Sequence, residues 1–165
     1  MTNLLVLGGT AWLGREVAAQ ARHLGIDVTC LARGGAGDPP AGVRFVPVDR
    51  SDPDAYAEVQ VGEWDAVVDV SWQPDLVASA VTALGERAAH WTYVSSCSVY
   101  AIDDVAGQDE SAYRHPPLDP GAAATGETYA SAKVTCEDLV VEALGERALL
   151  ARAGLIGGPG DTSDR

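Results

Sequence analysis

Apolar residues fall along the chain in two alternating periods. A short continuous run, Asn3-Leu4-Leu5-Val6-Leu7, stops at Gly8-Gly9 and predicts a buried strand. From Trp12 the period changes: Leu13, Val17, Ala18 and Ala21 recur at helical spacing as far as Leu24, and Gly25 reads as a C-terminal stop. The alternation then repeats. Residues 27–32, 43–48, 65–70, 91–94 and 148–152 predict five more strands, 54–57 a short polar helix, and 74–87 and 128–144 two longer helices. A loop rich in Gly and Pro occupies 34–42, and a polar stretch at 103–126 is long enough to be expected to carry function. Residues 157–165 read as a final loop.

Strands that are apolar almost throughout, alternating with helices, mark a parallel sheet covered on both faces. Right-handed crossovers then make a doubly wound, Rossmann-like α/β sheet the expected architecture. The hexapeptide Ala-Leu-Gly-Glu-Arg-Ala occurs at 83–88 and again at 143–148, each time where a helix should feed a strand. Two copies are one helix stop used twice, since a repeat architecture needs more.

Composition narrows the function classes. The 165 residues are 47% apolar with a formal charge of −13, which is too apolar for a disordered chain and too acidic for a nucleic-acid sleeve or an anionic membrane surface. No apolar run approaches the roughly 18 residues of a membrane span, and the start Met1-Thr2-Asn3 lacks a basic leader region. Cys30, Cys97 and Cys136 form no C-x-x-C pair, which points to a reducing, cytoplasmic setting without a zinc site. His23, His90 and His115 show no ligand spacing, so no metal is expected. Ten of the eleven cations are arginine, and the eleventh is Lys133. In a chain that has lost every other lysine, that residue is worth examining.

The turn after the first strand reads Gly8-Gly9-Thr10-Ala11-Trp12-Leu13-Gly14. Glycines at a strand-to-helix turn let the backbone approach a pyrophosphate, while the helix N-terminus points free N–H groups at it. Gly14 allows the helix to pack close on the sheet. The second strand ends Leu31-Ala32-Arg33-Gly34, with no acid at its end. An acid there would bind the ribose 2′-hydroxyl of NAD, whereas an arginine accommodates the 2′-phosphate of NADP, so NADP is preferred to NAD. Asp49, after the third strand, is placed either to meet the adenine edge or to serve as a turn carboxylate.

Tyr129 and Lys133 stand four apart on a predicted helix, hence on one face. A free phenol titrates near pH 10 and is a poor base at neutrality. An ammonium about 4 Å away, at an effective dielectric near 20, stabilises the phenolate by about 4 kcal/mol. Ser96, at the tip of the fifth strand, is placed to hydrogen-bond the substrate oxygen whose proton Tyr129 would move.

Taken in order, these motifs resemble the N-terminal, cofactor-binding part of the extended short-chain dehydrogenase/reductase family, the NAD(P)-dependent epimerase/dehydratase group. The glycine turn is similar to Gly-x-x-Gly-x-x-Gly, with Ala11 in place of the middle glycine. Ser95-Ser96-Cys97-Ser98-Val99-Tyr100 resembles the family's Ser-Ser-x-x-Val-Tyr strand end. Tyr129-Ala130-Ser131-Ala132-Lys133 matches Tyr-x-x-x-Lys, and residues 152–160 resemble its Arg…Gly-Pro segment, with Ala153-Gly154 where a proline is common. The resemblance implies that Tyr129 is the acid/base, that Ser96 is the catalytic serine and that Lys133 binds the nicotinamide ribose. It also implies that Val70, Ser71 and Trp72 line cofactor and substrate. It further implies a single dinucleotide-binding domain, 1–165, truncated after the sixth strand, with a C-terminal substrate lobe absent. The expected activity is hydride transfer between nicotinamide and a hydroxyl- or carbonyl-bearing small molecule such as a nucleotide sugar, weak or absent in this chain alone. The resemblance offers a homodimer as one oligomeric state and leaves the state open. The alternative is a non-catalytic NAD(P)-binding sensor or scaffold.

Overall fold

In the computed structural model, residues 2–102 and 104–161 are described; Asp103 of the predicted polar stretch and residues 162–165 of the final loop lie outside them. The elements are β1 (Asn3–Leu7), α1 (Trp12–His23), β2 (Asp27–Ala32), β3 (Arg44–Pro47), β4 (Ala66–Asp69), α2 (Pro74–Leu84), β5 (Trp91–Ser96), α3 (Tyr129–Leu144) and β6 (Ala148–Ala153). The strands form one sheet in the order β3-β2-β1-β4-β5-β6, every pairing parallel. The chain winds outward from β1 in one direction, then returns to pair β4 on its other side. That reversal opens a crevice beyond the C-terminal ends of β1 and β4, where such sheets bind ligands.

Side-chain alternation assigns the faces. Trp91, Tyr93 and Ser95 of β5 are buried on the face that α2 and α3 cover, where Val77, Leu84, Cys136 and Val140 pack against Leu5 and Leu7. On the opposite face Leu4, Val6, Val28 and Cys30 meet Ala18 and Ala21 of α1. Local signals end the elements where expected: Gly25 takes φ +80° just past α1, and Pro74 opens α2 with Asp75 in its first turn. No helix among the described residues is long and apolar enough to cross a membrane.

One predicted element is different. Residues 54–57 form no helix but successive turns, with Ala57 N–H on the Asp54 carbonyl and Val59 N–H on that of Tyr56 (both 3.0 Å). Tyr56 is drawn inward to meet the buried guanidinium of Arg50, and that anchor takes the place of a continued helical ladder. The repeated hexapeptide brings the two helix ends together: Arg147 of the second copy donates to the Gly85 and Ala88 carbonyls of the first, at 2.7 and 2.6 Å.

Candidate active site

The glycine turn is as tight as its sequence requires. Gly8 sits at φ +100°, and a Cβ there would lie 2.6 Å from Val70 Cγ2. Gly9 is buried against Cys30, and a Cβ on Gly14 would meet the Gly8 carbonyl oxygen. α1 therefore starts directly over the end of β1. Its N-cap, Ala11, supplies no side-chain hydrogen bond, and its first turn carries no acid. The first helical bond is Arg15 N–H to the Ala11 carbonyl, 2.9 Å. The N–H groups of Trp12, Leu13 and Gly14 thus have no helical acceptors and leave a partial positive charge open to an anion.

Two cavities meet at this turn, and Ala11 lines both. The first, about 740 Å³, takes in Gly8, Thr10, Arg33, Asp49 and Ser71 from the sequence-derived set. The second, about 670 Å³, takes in Trp12, Leu13, Gly14, Val70, Ser96, Tyr129 and Lys133. Both volumes lie in the range of small-molecule sites. Of the candidates only Gly9 reaches neither cavity, because its role is packing.

In the first cavity Arg33 is 77% exposed, with Nη1 3.9 Å from Asp49 Oδ2. Asp49 Oδ1 accepts from the Ser51 N–H (3.0 Å) and hydroxyl (2.8 Å). These bonds, together with the weaker pull of Arg33, hold its carboxyl below the usual range. Asp49 thus serves as a turn carboxylate and also lines the cavity.

In the second cavity Tyr129 opens α3 and Lys133 follows one turn later. The Tyr129 ring stands 5.5 Å from that of Trp72, centroid to centroid. Lys133 is 3% exposed and donates to the Ser71 carbonyl (2.9 Å) and the Val94 carbonyl (2.6 Å). Its ammonium lies 4.7 Å from the Tyr93 ring centroid and 5.9 Å from that of Tyr129, so it sits deeper than its spacing to Tyr129 suggested. Burial brings its pKa down to about 8, despite the opposing pull of Cys136, Asp69 and Glu137. Ser96 Oγ accepts from the Ser98 N–H (3.1 Å) and donates to the Ser98 hydroxyl (3.0 Å), which fixes the strand tip at the cavity wall.

Two polar networks behind the site escaped the sequence reading. Arg50 forms a two-point ion pair with Asp69, whose carboxylate is fully buried (Nη1–Oδ1 3.0 Å, Nη2–Oδ2 2.9 Å). Burial opposes the Arg50 charge, but Asp69 outweighs it and raises the guanidinium pKa. One turn beyond Lys133 on α3, Glu137 is fully buried. It accepts from Ser95 (2.6 Å), from Arg114 (2.9 Å) and twice from Arg152 (2.9 and 2.8 Å). Each had a signal: Asp69 breaks an apolar strand, and Glu137 stands on the Lys133 face of its helix. A carboxylate on a core-facing position requires a cation.

No protein-family model matches the sequence, and no curated protein matches it. Solved structures do. A putative epimerase from Burkholderia cenocepacia J2315 is 22% identical with a TM-score of 0.77, covering 98% of this chain and 56% of its own. The Bordetella bronchiseptica enzyme WbmH, solved with NAD+, is 17% identical with a TM-score of 0.75, covering 99% and 59%. UDP-glucuronic acid 4-epimerase from Bacillus cereus, solved with NAD, is 16% identical with a TM-score of 0.69, covering 93% and 56%. The likeness shows the fold, a doubly wound parallel sheet shared with these structures. The chain spans little more than half the length of these structures.

Proposed function

We propose that the chain, as a single domain over 1–165, is the dinucleotide-binding part of an extended short-chain dehydrogenase/reductase that works as an NADP-dependent oxidoreductase or epimerase. The observation that carries this reading is the convergence of Ser96, Tyr129 and Lys133 on one cavity, joined across Ala11 to a second cavity at whose rim Arg33 stands.

The residues present fit such a cofactor. The uncapped N-terminus of α1 suits a pyrophosphate, and the glycine turn keeps side chains out of its path. Ala11 adds one methyl group at the junction, where the motif's middle glycine would add none. Arg33 offers a guanidinium for a 2′-phosphate at a strand that ends without an acid of its own, where the phosphate would compete with the Asp49 carboxylate 3.9 Å away. A nicotinamide dinucleotide bound across the two cavities supplies the hydride donor or acceptor. The chain's own groups handle the proton and the substrate oxygen. Lys133 commits two of its three N–H donors to carbonyls, so the third is available for a ribose hydroxyl. Tyr129 gives or takes the proton at the substrate oxygen, and Ser96 hydrogen-bonds that same oxygen. Trp72, against the Tyr129 ring, walls the substrate side. A nucleotide sugar or related small molecule is the substrate class, in keeping with the fold likeness to a UDP-glucuronic acid epimerase.

Tyr129→Phe tests the assignment. NADPH oxidation against a panel of carbonyl substrates, and NADP+ reduction or epimer formation with UDP-sugars, should fall by about 10²–10⁴-fold while NADPH affinity is retained. Unchanged turnover would remove Tyr129 from the reaction.

A further inference from the structure

We propose that Arg50 is a positioning residue for the Lys133 ammonium, acting through Ser71. Its significance for catalysis rests on the reading of Lys133 given above, although the contact itself does not.

All five N–H donors of the buried guanidinium are used. Nε donates to the Tyr56 hydroxyl (2.9 Å), and Nη1 to Asp69 Oδ1 and to the Ser71 hydroxyl. Nη2 donates to Asp69 Oδ2 and to the Leu76 carbonyl (2.7 Å). Asp69 Oδ1 also accepts the Ser71 N–H, 2.9 Å. Ser71 is therefore gripped twice, at its amide by Asp69 and at its hydroxyl by Arg50. Its remaining polar group, the carbonyl, receives Lys133 Nζ at 2.9 Å and the Tyr93 hydroxyl at 3.0 Å.

A core can be filled at lower cost than this. A buried ion pair loses most of its Coulombic gain to desolvation, and apolar side chains of similar size usually serve stability as well or better. What the pair supplies that an apolar pair cannot is direction: it orients the peptide after β4 so that one carbonyl faces α3. With the Val94 carbonyl on β5, that oxygen makes a two-point seat for the ammonium. The same segment places Trp72 against Tyr129 and stands between the two cavities, since Ser71 lines one and Val70 and Trp72 the other. Arg50 hydrogen-bonds none of the three proposed catalytic side chains, so its influence passes through the segment it holds.

The single lysine makes the test direct. Protein labelled with ¹³Cε,¹⁵Nζ-lysine gives one side-chain ammonium signal, whose hydrogen exchange is read at mildly acidic pH without any cofactor. Ser71→Ala keeps the Arg50–Asp69 pair and removes only the grip; Arg50→Gln removes the grip at its source. Each should speed exchange of the Lys133 ammonium by about tenfold, the factor one charge-assisted hydrogen bond confers. Leu84→Ala, buried at the far end of α2, destabilises the core without touching the segment and should leave the exchange at its wild-type rate. If folded Ser71→Ala exchanges at the wild-type rate, or if Leu84→Ala speeds exchange equally, the proposal is overturned. If Arg50→Gln does not fold, Ser71→Ala decides alone. A parallel NADPH titration of the wild type separates the two claims: absent binding there counts against the dinucleotide reading and leaves the lysine result standing.

Discussion

At the Lys133 ammonium, burial competes with nearby anionic groups and wins, which sets its pKa at about 8 rather than above 10. The sign matters for binding. Below pH 8 the group is charged and offers its third donor; above it the proton is lost. NADPH affinity is therefore expected to weaken as pH rises through about 8, with the single lysine ¹³Cε signal titrating over the same interval. In Lys133→Met the affinity should be weaker throughout and flat with pH. A lysine signal that titrates above pH 10 would contradict this. The residues legible in the sequence were those whose partners lie close by or in a fixed motif: Tyr129 and Lys133 share one helical turn, and Ser96 ends a strand. Arg50 and Asp69 were not legible as a pair, because 19 residues separate them and only the sheet brings them together.

Elements were legible wherever the local signal and the tertiary demand agreed. α1 begins at Trp12 and stops before Gly25, as the periodicity and the glycine both require. Residues 54–57 show the opposite case, where a weak helical pattern lost Tyr56 to Arg50. α1 lies directly against the turn after β1 at Gly14, where a methyl group would press on the Gly8 carbonyl. Gly14→Ala should lower stability by about 1–3 kcal/mol in urea unfolding and weaken NADPH binding, because α1 must move off the turn. On α3, Glu137 ties β5, β6 and the segment bearing Arg114 to one carboxylate. Glu137→Gln leaves Arg152 without its carboxylate and Arg114 with that of Asp138 alone. It should cost about 3 kcal/mol or more in the same measurement, as loss of one partner of a buried pair does.

Over the whole molecule, buried titratable groups set the alkaline limit. Burial pushes the Cys30 thiol up to about 11 and, against the pull of Tyr93 and Lys133, the Cys136 thiol also to about 11. Groups raised in the folded state hold protons that the unfolded chain releases, so stability falls as pH climbs from about 9 to 11. Lys133, lowered in the folded state, acts in the opposite sense between about 8 and 10.5. Each pH unit of displacement is worth about 1.4 kcal/mol, so two thiols outweigh one amine. Unfolding free energy should decline above pH 9, and more steeply in Lys133→Met than in the wild type; a rise over that interval would contradict the assignment. The doubly wound order of the sheet was legible because alternating apolar runs and helices leave few other topologies. The joining of the two cavities at Ala11 was not, since it depends on how α1 lies over β1. That join carries the proposed function, and titration of NADPH against tryptophan fluorescence tests it most directly. The account predicts saturable quenching with a dissociation constant in the micromolar range (about 1–100 μM), weaker in Arg33→Ala and in Gly14→Ala. No saturation up to about 1 mM NADPH or NADH, in a chain that remains folded, would contradict it.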